Sequence, residues 1–217
     1  MNHWGAVLDN YDRRIVDGFA TEYRVLAIDY RGVGLSRGLA PETIYEMASD
    51  TINMISTMAF ETVDLDRYRT CWRSRHRRGG GCFRPLILMG MLTPQDAKTD
   101  LFFISTANGR RAAWEFLVRL KDRRLDRDKG PTPRAFLRQL AAIKAWARKE
   151  PQDLGLIRIH VLVANGDNDI MVPTSNRHDM ARRIPNAELV IYKDTGHGGI
   201  FQYHAGFVLK ALGFLAG

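Results

Sequence analysis

The chain has 217 residues, a formal net charge of +8 and two cysteines. Its length suits one domain with a sizeable core and room for a small insertion. No apolar run approaches the roughly 20 residues of a membrane span, and Met1-Asn2-His3-Trp4-Gly5 lacks the charged and apolar regions of a secretory signal, so the expected setting is the cytoplasm.

The charge is local. Seven arginines and no acid lie between Arg67 and Arg84, and without them the chain is close to neutral. Such a clustered excess reads as a solvated basic loop rather than as a nucleic-acid footprint spread over a folded face. Cys71 and Cys82 sit in the same stretch and are too few to define a redox compartment. With His76 they give no C-x-x-C pair and no fourth ligand, so no metal site is assigned.

Asp9–Ala20 reads as a helix. Tyr23–Tyr30 then reads as a short apolar strand, of the kind buried in a parallel sheet, and Arg31-Gly32-Val33-Gly34-Leu35-Ser36 as a Gly-rich turn in which Ser36 is a capping hydroxyl. Pro41 opens a helix whose apolar face carries Ile44, Met47, Ala48, Thr51, Ile52 and Ile55. Thr62–Leu65 begins another strand, but from Asp66 to Arg84 neither a period of two nor one of 3.6 continues. Pro85–Gly90 resumes as a buried strand.

Two amphipathic helices follow, Ala112–Arg124 and Thr132–Arg148, separated by the solvated turn Asp126–Pro131. They read as a cap, and Phe102, Phe103, Trp114, Phe116 and Trp146 divide between helix core and the lining of an apolar pocket. Beyond them come strand Ile157–Ala164, helix Ser175–Ile184, strand Glu188–Tyr192 and a terminal helix near Tyr203–Leu215. Alternating strands and helices make the fold class α/β with a parallel sheet.

Asp169 lies just past one strand and His197 just past the next, where an open α/β sheet gathers its reactive groups. An acid that fixes the tautomer of an imidazole is two parts of a Ser-His-Asp system. Asp169 also fits a turn or helix-cap residue.

Three stretches resemble the α/β-hydrolase superfamily, in particular its esterases and non-haem haloperoxidase-like enzymes with a helical cap. They are I-D-Y-R-G-V-G-L-S within Tyr23–Ser36, V-L-V-A-N-G-D-N-D-I-M-V-P at Val161–Pro173, and K-D-T-G-H-G-G-I-F at Lys193–Phe201. The resemblance implies Asp169 as triad acid, with Asp167 its near rival, and His197 as general base and then general acid. It implies a small apolar ester or similar acyl compound as substrate, with no cofactor. No membrane partner is expected, and nucleic-acid binding through Arg67–Arg84 is the weakest of the readings. The resemblance also implies core segments 1–92 and 153–217 around a helical cap at 93–152.

The sequence departs from the family in two places. The G-x-S-x-G nucleophile elbow belongs after Val63-Asp64-Leu65, where the chain reads D-R-Y-R-T-C-W-R-S-R-H-R-R-G-G-G and Ser74 stands between arginines. The family's first three strands would precede Met1, so an incomplete sheet is expected, with Tyr23–Tyr30 deprived of its usual neighbours. Asp66–Arg84 has the composition that a shifted reading frame yields in a GC-rich gene. The sequence thus leads to a hydrolase-type chain that is impaired or inactive for want of its serine, or to a ligand-binding remnant of one.

Overall fold

A computed structural model of the chain describes residues 5–66 and 97–217. The irregular stretch from residue 67, the strand expected at Pro85–Gly90, Ser74, and the trio Cys71, His76 and Cys82 all lie outside the described residues. Packing divides the chain into two compact units.

One unit comprises the described residues of 12–24, 97–121 and 151–217. At its centre β1, Val161–Gly166, pairs in parallel with β2, Ala187–Tyr192, in a register running from Val161 opposite Ala187 to Gly166 opposite Tyr192. The crossover helix Thr174–Arg183 packs on both strands. Sequence periodicity starts the first strand at Ile157, four residues early. The structure instead ends a 3-10 turn, Leu154–Leu156, there, with the Ile157 N–H bonded back to the Leu154 carbonyl, and Ile159 is 72% exposed.

The remaining helices of this unit are α1 (Arg13–Phe19), α3 (Ala97–Phe102), α4 (Ala107–Arg119), α7 (Gly199–Gln202) and α8 (His204–Leu215). The crossover helix is α6 in chain order, and α2 and α5 belong to the other unit. Their core is aromatic. Phe116 of α4 stacks on Phe201 of α7 with centroids 4.9 Å apart, and Phe102 and Phe103 close around Phe116 at 6.1 and 5.5 Å. Rings so packed add roughly 0.5–1.5 kcal/mol per pair beyond the area they bury.

Helix α4 begins five residues before the expected Ala112. Its N-cap is Thr106, whose Oγ1 accepts the Gly109 N–H at 3.1 Å. Glycine in the first turn hid that start, being a poor helix former. It is required there because a Cβ at 109 would lie 2.1 Å from the Ile104 carbonyl oxygen. At the other end, the expected Asp9–Ala20 helix is a 3-10 turn at Leu8–Asn10 followed by α1, which Asp12 caps by accepting the Arg14 N–H.

The second unit comprises the described residues of 5–11, 25–66 and 122–150. Its helices are α2 (Ile44–Thr57) and α5 (Pro133–Ala147), the latter capped by Thr132. A small core gathers Val7, Val33, Ala40 and Ala135, with Tyr30 packed against it. Helix α2 starts three residues after Pro41. Thr43 accepts the Glu46 N–H while Glu46 reaches back to the Glu42 N–H, and this capping interaction sets the start more strongly than a proline. Met47 and Thr51 are its buried residues, whereas Ile52 of the expected apolar face is 61% exposed.

Tyr23–Tyr30 and Thr62–Leu65, expected as strands, carry no strand assignment. A strand exists only through a neighbour that takes its N–H and C=O groups, and no such ladder partner occurs among the described residues. The sheet described is therefore the parallel pair β1–β2 flanked by helices. No helix among the described residues is long and apolar enough to cross a membrane.

Candidate active site

Residues 28 apart in sequence meet at the ends of the two paired strands. The strand β1 stops at Gly166, and Asp167-Asn168-Asp169 turns over its end. The strand β2 stops at Tyr192, and the loop Lys193–Gly198 carries His197. The parallel ladder continues past the strands: Asp167 N–H donates to the Tyr192 carbonyl at 2.9 Å and Asn168 N–H to the Thr195 carbonyl at 3.0 Å. The acid turn and the histidine loop are thereby held side by side.

The approach is close enough to dictate residue type. A Cβ at Gly166 would stand 2.2 and 2.3 Å from the Gly196 and Thr195 carbonyl oxygens, well inside any tolerable contact.

His197 Nδ1 lies 2.8 Å from Asp169 Oδ2, with the two side chains 2% and 0% exposed. The second carboxylate oxygen, Oδ1, accepts the backbone N–H groups of Met171 and Val172, both at 2.9 Å. Burial alone would raise the Asp169 pKa. The hydrogen bond and charge of His197, followed by the Val172 and Met171 N–H groups, outweigh it and hold the carboxyl below its ordinary value. An ionised carboxylate is acceptor-only, so Nδ1 carries the proton of the neutral imidazole. Nε2 is then the basic nitrogen, the arrangement a general base requires.

Asp167, the rival acid, goes elsewhere. Its Oδ1 accepts the Thr195 N–H at 3.2 Å and the Asn168 side-chain amide at 2.7 Å. Desolvation works against ionisation of Asp167 but is outweighed by the Thr195, Asn168 and Asp194 hydrogen bonds and by Lys193, so its pKa is also lowered. Asp169 meets the imidazole and Asp167 braces the loop.

The histidine has an aromatic wall. The Phe102 ring stands edge-on to it at 5.4 Å, and the Phe102 carbonyl accepts the Gly198 N–H at 2.6 Å. Of the other aromatics weighed as pocket lining, Phe103 and Phe116 are core, Trp114 is 67% exposed, and Trp146 packs on Tyr45 in the second unit. Among the described residues no group of His, Cys, Asp or Glu has the geometry of a metal site.

The letters Gly34-Leu35-Ser36-Arg37-Gly38 also spell G-x-S-x-G, a match that the turn reading passed over. The structure gives Ser36 a different role from both a helix cap and an elbow. Its hydroxyl donates to the Asp29 carbonyl at 3.1 Å inside the turn. It is not among the non-glycine residues at positive φ, which are Ala59, Asp126 and Asp194 among those described, and the next helix begins only at Ile44.

Comparisons with known proteins bear on the family and the fold. A family model described as "TAP-like protein" matches residues 139–216, a span that includes both Asp169 and His197. No curated protein sequence matches. Among solved structures, an α/β-hydrolase fold protein from Chitinophaga pinensis is similar over 99% of this chain and 87% of its own, with 28% identity and a TM-score of 0.90. An esterase from Exiguobacterium antarcticum is similar over 100% of this chain and 90% of its own, with 15% identity and a TM-score of 0.73. A bromoperoxidase from Bacillus anthracis is similar over the same shares, with 18% identity and a TM-score of 0.68.

Proposed function

We propose that the chain, which shares the α/β-hydrolase fold, descends from, and retains the proton-transfer half of, an enzyme that hydrolyses a small apolar ester or similar acyl compound. The observation that carries the proposal is the 2.8 Å contact between His197 Nδ1 and Asp169, whose other oxygen is fixed by two backbone N–H groups. In this reading His197 Nε2 takes the proton from an attacking hydroxyl and returns it to the leaving group, while Asp169 holds the tautomer and stabilises the imidazolium. Such acyl transfer needs no cofactor, and none is assigned. The segment 93–152 is read as the cap and the compartment as cytoplasm, with nucleic acid the least favoured partner.

In this form the chain is proposed to be impaired. No elbow sequence follows Leu65, and losing the nucleophile of a triad costs about a millionfold in turnover. That same feature supports the second reading, a non-catalytic protein that binds apolar ligands.

A fluorophosphonate probe and p-nitrophenyl butyrate hydrolysis test both. Residual hydrolysis that disappears in His197→Ala supports the impaired enzyme. Stoichiometric labelling of a serine with rapid His197-dependent turnover would refute the loss of the nucleophile. Absence of labelling and of any His197-dependent hydrolysis in folded protein would leave the binding reading.

A further inference from the structure

We propose that Asp194 is a positioning residue for His197, clipping the histidine loop to the segment that bears Phe102, Thr106 and Asn108. The proposal rests on reading Asp169 and His197 as the proton-transfer pair.

Asp194 adopts φ 52°, a left-handed backbone that aspartate and asparagine tolerate better than other side chains but that glycine adopts most easily. Its side chain is engaged. Oδ2 accepts the Thr106 hydroxyl at 3.3 Å and the Asn108 side-chain amide at 3.1 Å. The backbone carbonyl accepts the Gln202 amide at 3.0 Å.

Thr106 is fully used in this arrangement. Its oxygen accepts the Gly109 N–H as the cap of α4, and its single proton goes to Asp194. Four residues beyond Asp194, the Gly198 N–H donates to the Phe102 carbonyl. His197 therefore sits on a short loop fastened at both ends to residues 102–108, with Thr195 tied to Asp167 between them. An acceptor-only carboxylate facing two donors is what this position selects.

The test uses the full chain with ¹⁵N-labelled histidine, reading solvent exchange of the His197 Nδ1 proton by NMR. Asp194→Gly removes the carboxylate and leaves the backbone unstrained. It removes two hydrogen bonds of about 1 kcal/mol net each and should speed Nδ1–H exchange roughly 30-fold, against about fivefold for the loss of one. Asp194→Asn keeps an acceptor oxygen and tolerates the left-handed backbone, and should restore slow exchange. Asn108→Ala removes one donor without touching the loop or the Thr106 cap, and should shift exchange in the same direction as Asp194→Gly.

Unchanged exchange in both Asp194→Gly and Asn108→Ala overturns the proposal. If Asp194→Gly does not fold, Asn108→Ala decides alone: faster exchange supports it and wild-type exchange overturns it. Asp169→Asn separates the two layers. If the protected Nδ1 proton survives that change, the pair itself is misread and this proposal falls with it. If the protected proton is lost in Asp169→Asn but kept in Asp194→Gly, only the role of Asp194 falls.

Discussion

Replacing Asp169 by asparagine should cost stability in a way that depends on pH with a defined sign. The amide oxygen can still accept the Met171 and Val172 N–H groups, so those bonds survive. What is lost is the charge-assisted bond to His197 between two side chains that are 2% and 0% exposed. Such bonds are worth about 1.5–3 kcal/mol net. At roughly 2–4 °C per kcal/mol for a chain of this size, a loss of about 2 kcal/mol lowers the melting temperature by about 4–8 °C at pH 7. The Asp169 pKa is depressed by folding, so its contribution is present above the ordinary carboxyl value near 3.8 and is lost as pH falls through the lower folded value. Thermal unfolding followed by circular dichroism should show wild type and Asp169→Asn converging below that pH. Equal melting at pH 7, or a gap undiminished at pH 2, would refute the argument.

Gly166→Ala should abolish soluble expression or lower the melting temperature sharply, because its Cβ meets two backbone oxygens at 2.2 and 2.3 Å with no flexible group to yield. Asp12→Ala should destabilise by about 3–5 kcal/mol in urea titrations, since the fully buried carboxylate is shared by Arg14 and Arg119 at 2.8 and 3.0 Å and both guanidiniums would be left without it. By contrast, Lys210→Ala should shift stability by no more than about 0.5 kcal/mol, although Lys210 is ion-paired with Glu188, because both side chains are well exposed.

The parts of the fold that sequence reading found are those encoded locally. The run Val161–Gly166, the helix after Pro173 and the strand ending at Tyr192 each carry their own periodicity, so β1, α6 and β2 and the two residues at their ends were legible. The start of α4 was not, because Gly109 in its first turn looks like a breaker until the Ile104 carbonyl beside it is known. Tyr23–Tyr30 has a strand-like composition, but pairing is a property of neighbours, and no ladder partner for it lies among the described residues. The resemblance's spacing, Gly166 three residues before Asp169 with Pro173 beyond, already favours Asp169 over Asp167. Backbone geometry supplies the physical ground, since the turn aims Asp169 at His197 and Asp167 at the Thr195 N–H.

In the proposed reading, the acid–histidine pair and the nucleophile come from different stretches of the chain. Among the described residues, the contacts named above that set the pair lie within one unit: the ladder past β1 and β2, the Met171 and Val172 N–H groups, the Phe102 carbonyl and the Thr106–Asn108 clip. In the proposed hydrolase reading the serine elbow would follow Leu65, on residues other than those named in these contacts. A substitution there can remove turnover while the 2.8 Å bond between His197 and Asp169 persists. An intact pair therefore reports how residues 151–217 and 97–121 fold, and only serine labelling reports whether the pair has a hydroxyl to activate. Restoring a G-x-S-x-G turn after Leu65 should produce fluorophosphonate labelling that His197→Ala abolishes, with the Nδ1 proton of His197 exchanging as before.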